Sequence, residues 1–491
     1  MKTHLQAMLL CDFYKLSHRA QYLPQTEIVY STWTPRRSLV DGISEVVVAG
    51  HQKFIQETLI EFFNENFFHR PIAEITSEYI RIVKNTLGIA SPETQHIQDL
   101  HALGYLPLLI KALPEGSIVP MRTPVMTVQN TDKRFFWLTN FIETMMSAEC
   151  WKMPTSATMA NEARKILDKA AMETVGNTDF VGFQGHDFSM RGMSGIFDAE
   201  TSGIGHLMSF VGTDTIPAIL GAEKYYNANV EKELVGCSIP AAEHATVCAN
   251  GMDEVKTIDR FISEVYPEGF VSFVSDTWDF WNVVGSVLPQ LKDKIMARNG
   301  KLVIRPDSGD PVKIICGDES AENKWAKQGL VASLWEIFGG TETAKGYKLL
   351  DSHIGAIYGD SITLDRMRQI SAGLKAKGFA SINCVYGIGS YTYQFATRDT
   401  FGFAMKATLV VVNGDERMIY KDPKTDNGTK KSQRGAVAVF KNADGKISFV
   451  DGLTLSANSE YNLLTKVFED GNVINKQSLG TIRARLTEAR Q

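Results

Sequence analysis

The stretch LVIRPDSGDP, residues 302–311, runs an apolar segment straight into Arg305, Asp307, Ser308 and Gly309. An arginine fork at the end of a strand can grip phosphate oxygens through two N–H donors. A carboxylate beside it can take ribose hydroxyls or hold a magnesium ion. Three further apolar runs end in the same way: GFVSFVSD at Asp276, IGAIYGD at Gly359 and Asp360, and INCVYGIGS at Gly389 and Ser390. Gly387, Gly389 and Ser390 offer backbone that can come close enough to cradle a phosphate. Taken singly, Arg305 and Asp307 read more readily as a structural ion pair. Their recurrence at successive run ends favours a phosphorylated sugar instead.

Three other segments carry candidate groups. In QGHDFSMRGMSG, residues 184–195, His186, Asp187, Phe188 and Arg191 follow an apolar run. A phenylalanine with an arginine nearby can hold a flat heteroaromatic ring by stacking plus a hydrogen bond, although Phe188 as core and Arg191 as a surface cation fit as well. In SIPAAEHATV, residues 238–247, Ser238 and His244 flank an expected helix start opened by Pro240. A histidine there can serve as a cation for diphosphate, a general acid or base, a phosphate acceptor, or a local cap. In VGTDT, residues 211–215, Asp214 either caps a helix or, as an ionised carboxylate, accepts from an amide NH2 and repels a second carboxylate.

These groups need elements that gather them. Residues 151–395 alternate short apolar runs with longer helical patterns, as in parallel β/α units, whose strands all deliver their carboxyl ends to one face. The first 150 residues differ. Phe54, Ile55, Leu59, Phe62, Phe63 and Phe67 form one helical stripe, a second helix runs from Pro71 to Gly88, and a third lies around Phe135–Met146. LPEGSIVPMRTPVMTVQNTD reads as a small strand-rich element between them. After Phe395 the pattern returns to hairpins, with turns at Asn413–Gly414 and near Asp444–Gly445, separated by a basic loop from Lys421 to Arg434 that reads as mobile. The expected fold is α/β: an irregular parallel (β/α) barrel domain over 151–395, plus a discontinuous mixed α+β domain formed by both termini, 1–150 with 396–491.

Composition bounds the function. A chain of 491 residues with 44% hydrophobic and 22% charged content builds a sizeable core. A formal charge of -5 argues against a main role on nucleic acid or a membrane surface. Cys11, Cys150, Cys237, Cys248, Cys316 and Cys384 lack metal or disulfide spacing and read as reduced core thiols. The N-terminal residues lack a signal-like run, and no stretch reaches membrane-spanning length, so a cytoplasmic location is expected. Walker A, GxGxxG, HExxH and GxSxG patterns are all missing, as is the acidic loop of the common type I phosphoribosyltransferases.

The words CDFYKLSH, LPEGSIVP, WLTNFIET, HDFSMRG, GTDT, PAAEH, FVSD, IRPDSG, YGD, TRD and YKDP occur in one order along almost the whole chain. In that order the chain resembles the nicotinamide phosphoribosyltransferases, type II phosphoribosyltransferases of NAD salvage. The resemblance implies transfer of phosphoribosyl from 5-phosphoribosyl 1-diphosphate to nicotinamide with magnesium, by a homodimer with active sites at the subunit interface. It implies that Phe188 and the partner subunit's Tyr14 sandwich the ring, and that Arg191 and Asp214 address the amide, with Ser238 nearby. It implies sugar and diphosphate contacts from Arg305, Asp307, Gly359, Asp360 and His244, with Asp276 as a further acid near the sugar or metal. Gly389 and Ser390 are the implied 5-phosphate site, with cations from Arg398 and Lys421 across the interface, and Arg36 is an implied cross-subunit contact to the diphosphate. His244 is the implied acceptor of a phosphoryl group when ATP hydrolysis is coupled, facultatively, to the transfer. Two departures stand out: GIGSY replaces a run of glycines in the phosphate loop, and the 421–434 loop differs in length and composition. The competing readings are a nicotinate phosphoribosyltransferase, a different phosphosugar barrel enzyme, and a non-catalytic signalling or interaction protein on the same fold.

Overall fold

The computed structural model describes residues 4–421, 425, 432–457 and 461–490. The described residues fall into two compact units. One comprises Ser156–Ala222 and Asn229–Phe395; the other lies within Met1–Thr155, Glu223–Ala228 and Ala396–Gln491. The short piece Glu223–Ala228, read from sequence as part of the barrel region, groups with the second of these.

In the first unit the apolar runs become parallel strands: β1 (Gly185–Asp187), β2 (Gly212–Thr213), β3 (Glu268–Val274), β4 (Asn299–Arg305), β5 (Ile354–Tyr358) and β6 (Cys384–Ile388). Their spatial order is β2-β1-β6-β5-β4-β3, every pair parallel. Phe273, Leu302, Ile304, Ile354, Tyr386 and Ile388 are fully buried, which is why these strands read as near-continuous apolar runs rather than alternating ones. The two edge strands are joined by an irregular segment. Cys237 bridges Gly212 and Ala241 bridges Ser272, with Cys237 N donating to Val211 O at 2.7 Å and Ser272 N to Pro240 O at 2.8 Å. The segment 237–242 thus closes the irregular parallel barrel that the β/α texture predicts. It also corrects the reading of Pro240, which belongs to this closing segment and opens no helix; the helix there is His244–Ala249, with Glu243 at its N-cap.

Register does the positioning. Val274 lies opposite Arg305, Ile388 opposite Asp187, and Asp187 opposite Thr213. The residues just beyond these pairs therefore leave the barrel on one rim.

The other unit carries a seven-stranded antiparallel sheet. Thr26–Thr34 pairs with Met126–Asn130 on one side and with Ala404–Val412 on the other, so segments from both ends of the chain share one ladder. Val412 faces Asp415 across Asn413 and Gly414, both at positive φ (53° and 81°), the expected tight hairpin turn. The phenylalanine-rich stripe is buried as read, but its helix widens into π turns over Ile55–Phe62 and Asn64–Phe68. The helix expected around Phe135–Met146 is broken into a 3-10 turn, Lys133–Phe135, and two short helices, Leu138–Phe141 and Glu143–Glu149. Among the cysteines, Cys150, Cys316 and Cys384 are buried free thiols, whereas Cys248 is exposed, against the expectation of core burial. Among the described residues no helix is long and apolar enough to cross a membrane. Most of the basic loop, 422–424 and 426–431, lies outside the described residues.

Two barrel glycines make opposite predictions. A Cβ on Gly387 would come within 2.5 Å of Phe188 Cδ2 and 2.8 Å of Gly359 Cα, whereas one on Gly389 would meet nothing within 4 Å. Gly387→Ala is expected to cost about 1–3 kcal/mol in denaturant unfolding through overpacking. Gly389→Ala, at φ -90°, is expected to stay within about 0.5 kcal/mol of the parent.

Candidate active site

Asp276, just past β3, ties the rim together. Its Oδ2 accepts from the backbone N of Asp307 at 2.9 Å and from the Ser308 hydroxyl at 2.5 Å, while its Oδ1 is buried without a hydrogen bond. Arg305 shows the same half-used state. Nη2 donates to Ala242 O at 2.7 Å, but Nε, 3.5 Å from Asp307 Oδ1, is buried and makes no hydrogen bond. Two strand-end groups, an acid and a base, thus each keep one buried polar atom without a hydrogen bond.

Asp307 is held close to Gly359, where a Cβ would stand 2.5 Å from its Oδ1. Burial pushes its carboxyl above the usual aspartate value. Arg305 and His244 oppose that shift, while the neighbouring Asp276 and Asp360 add to it. His244 opens its helix with half of its side chain exposed; Nδ1 lies 3.0 Å from Thr277 Oγ1 and Nε2 lies 4.0 Å from Asp276 Oδ1. Among the described residues no group of three or more histidines, cysteines or acids forms a metal cage.

On the other side of the rim Phe188 follows β1, anchored by its backbone N donating to Ile388 O at 3.0 Å, with its ring 4.7 Å from that of His186. Asp214 follows β2 and caps no helix with its side chain. Its Oδ1 accepts from His186 Nε2 at 2.9 Å and from Ser238 Oγ at 2.5 Å. Burial works to raise its carboxyl, but those two hydrogen bonds and the charges of His186 and Arg305 outweigh it and leave the group below the usual range. Arg191 is exposed in the 3-10 turn Met190–Gly192. The serine of GIGSY is accommodated because Gly192 lacks a side chain: a Cβ there would meet Ser390 Oγ at 2.1 Å. Ser390 itself starts a one-turn helix, Ser390–Tyr393, behind Gly389.

These groups border two cavities. A mostly apolar one of about 170 Å³ runs into the barrel. An open polar one of about 610 Å³ is edged by Arg191, Asp307, Gly359, Asp360, Gly389 and Ser390. Phe188, Asp214, Ala241 and Arg305 line both. An apolar slot and a polar slot therefore meet between a phenyl ring, a carboxylate and a guanidinium.

Residues 183–472 match the profile of the nicotinate phosphoribosyltransferase (NAPRTase) family, and a nicotinamide phosphoribosyltransferase of Acinetobacter baylyi is 51% identical over 99% of this chain and 98% of its own. The chain belongs to the nicotinate phosphoribosyltransferase family. Proteins named nicotinamide phosphoribosyltransferase from Mycoplasma genitalium (36% identical, covering 88% of this chain and 95% of theirs) and Xanthomonas campestris (31%, covering 98% of each) are also similar. In fold, the chain is similar to a nicotinate-nucleotide pyrophosphorylase from Pyrococcus furiosus, with a TM-score of 0.59 at 14% identity over 99% of this chain and 97% of that one. It is also similar to human nicotinic acid phosphoribosyltransferase, with a TM-score of 0.52 at 14% identity over 98% and 94%.

Within this family member the barrel unit brings together His244, Asp276, Arg305, Asp307, Phe188, Arg191, Asp214, Ser238, Gly359, Asp360, Gly389 and Ser390. Tyr14, Arg36, Arg398 and Lys421 belong to the other unit. There Tyr14 is exposed with its ring against His18, and Lys421 exchanges backbone and hydroxyl hydrogen bonds with Ser432. Arg36 donates from Nε to Gly402 O at 3.0 Å, and burial together with nearby Arg398 depresses its guanidinium. Sequence reasoning missed Thr277 and Lys301. Lys301 lines the apolar cavity with its amine depressed by burial, and nothing in its run marked it as inward-facing.

The raised carboxyl of Asp307 sets a stability prediction. The protonated form is favoured on folding, so its stabilisation is full below the ordinary aspartate range and is lost as pH rises through the raised value. Asp307→Asn is therefore expected to melt higher than the parent at pH 7, with the gap closing below about pH 4, and to lose turnover by roughly a hundredfold or more. A lower melting temperature at pH 7 would contradict the electrostatic account.

Proposed function

We propose that this family member transfers the phosphoribosyl group of 5-phosphoribosyl 1-diphosphate to nicotinamide, giving nicotinamide mononucleotide and diphosphate in NAD salvage. The observation that carries the reading is Asp214, an ionised carboxylate at the junction of the two cavities, beside Phe188. A carboxylate accepts from an amide NH2 and repels the carboxylate of nicotinic acid. The similar proteins named nicotinamide phosphoribosyltransferase support the same choice. Nicotinate as acceptor is the rival that Asp214 disfavours.

The chemistry follows from the acceptor. A pyridine nitrogen bonds to the anomeric carbon through its lone pair as the carbon–diphosphate bond breaks, so no proton has to be removed and no side-chain nucleophile is needed. Charge builds on the leaving diphosphate and on an oxocarbenium-like sugar. Arg305 and His244 stabilise the first, Asp307 and Asp360 hold the second, and Phe188 keeps the ring in line. Magnesium fits the residues present, because that ion is usually held by one or two carboxylates plus substrate phosphates rather than by a full protein cage. Asp276, with its orphaned Oδ1, Asp307 and Asp360 are the acids that would hold it, and it would neutralise diphosphate charge. With Nδ1 facing Thr277, His244 Nε2 is the nitrogen free to accept a phosphoryl group from ATP in the facultative coupling.

The working protein is a homodimer in the cytoplasm, in which Tyr14 covers the second face of the ring and Arg36, Arg398 and Lys421 bring cations to a neighbouring subunit's site. Arg36 serves the diphosphate, and Arg398 and Lys421 serve the 5-phosphate.

Nicotinamide is expected to exceed nicotinic acid in kcat/KM by at least about a hundredfold, measured by mononucleotide formation with magnesium, with and without ATP. A preference for the acid would overturn the assignment. Mixing inactive Arg36→Ala and Asp307→Asn proteins under subunit exchange is expected to restore part of the turnover; no recovery would remove the shared site.

A further inference from the structure

We propose that His186 is a positioning residue for acceptor selectivity: its Nε2–H, together with the Ser238 hydroxyl, fills Oδ1 of Asp214 and leaves Oδ2 to meet the amide. The proposal rests on the reading of Asp214 as the amide's partner. Strand alternation puts His186 and Phe188 on one face of the chain and Asp187 on the other, where Asp187 Oδ2 lies beside Gly203. On both neighbouring strands the residue in register with His186 is glycine, Gly387 on β6 and Gly212 on β2. A Cβ on Gly212 would stand 2.8 Å from His186 Nδ1. A side chain at Gly212 would crowd the imidazole, and one at Gly387 would crowd the Phe188 ring that the imidazole lies against; without them His186 reaches the end of the next strand.

The hydrogen bonds fix what it does there. An ionised carboxylate only accepts, so Nε2 carries the hydrogen that meets Asp214 Oδ1 at 2.9 Å. Ser238 reaches the same oxygen at 2.5 Å from the barrel-closing segment. Each carboxylate oxygen has two lone pairs, and these two donors occupy both on Oδ1. Among the described residues nothing donates to Oδ2. Donors from two separate elements on one oxygen fix the rotation of the carboxylate and favour its charged form, the two properties that selecting an amide over an acid requires. Sequence shows a histidine two residues before the stacking ring; only the fold shows that it meets Asp214.

The test compares His186→Leu, His186→Gln, Ser238→Ala and Asp214→Asn with the parent, measuring kcat and KM for nicotinamide, nicotinic acid and phosphoribosyl diphosphate. In His186→Leu the amide-over-acid ratio of kcat/KM is expected to fall about tenfold or more, the worth of one charge-assisted hydrogen bond, mainly through nicotinamide KM, with the KM for phosphoribosyl diphosphate within about twofold. His186→Gln, which retains an N–H donor, is expected to recover most of the loss, and Ser238→Ala to shift the ratio in the same direction. If Asp214→Asn leaves the ratio unchanged, the reading of Asp214 fails and the proposal with it. If Asp214→Asn collapses the ratio while His186→Leu does not, the proposal alone is overturned. Should His186→Leu fail to fold, an unchanged ratio and nicotinamide KM in Ser238→Ala overturn it.

Discussion

Parallel strands buried on both faces have one place to put polar groups, and that is their ends. The barrel unit follows this constraint closely. The runs Val271–Val274, Leu302–Ile304, Ile354–Tyr358 and Cys384–Ile388 are mostly apolar, and register then sets Asp276, Arg305, Asp307, Gly359, Asp360, Gly389, Phe188 and Asp214 along a single rim. Asp276 shows how the rim is held: one carboxylate oxygen takes the backbone of the neighbouring strand end and a hydroxyl, and the other is left over.

Two carboxylates on this rim are driven in opposite directions. Asp214 has two donors on one oxygen and a guanidinium nearby, which hold it ionised despite burial. Asp307 has acidic neighbours on two sides and only a distant contact with Arg305, so burial prevails and its proton affinity rises. The first arrangement suits permanent recognition of a neutral amide. The second leaves a buried carboxylate whose charge its own neighbours only partly balance.

Glycine makes the rim compact. Gly359 lets Asp307 approach the neighbouring strand end, Gly387 leaves room for the Phe188 ring, Gly212 leaves room for the His186 imidazole, and Gly192 leaves room for Ser390. Each is needed because of what lies across from it rather than because of its own backbone angles. That is why the GIGSY turn, with its serine at 390, still packs: the missing side chain is on the facing turn.

The sequence by itself determined which segments are strands, since a run buried on both faces must be apolar throughout, and which residues end them, since polar groups there break the run. It therefore exposed Arg305, Asp307, Asp360 and Ser390 as candidates, and its word order carried the family. It did not reveal the closing segment 237–242, whose Pro240 reads as a helix start, because two isolated bridges leave no periodic pattern. Nor did it give the pairing of His186 with Asp214, the Thr277 contact of His244 or the inward reach of Lys301. Those depend on register between strands far apart in the chain, and hydrophobic pattern fixes which face a residue takes but not which residue stands opposite it.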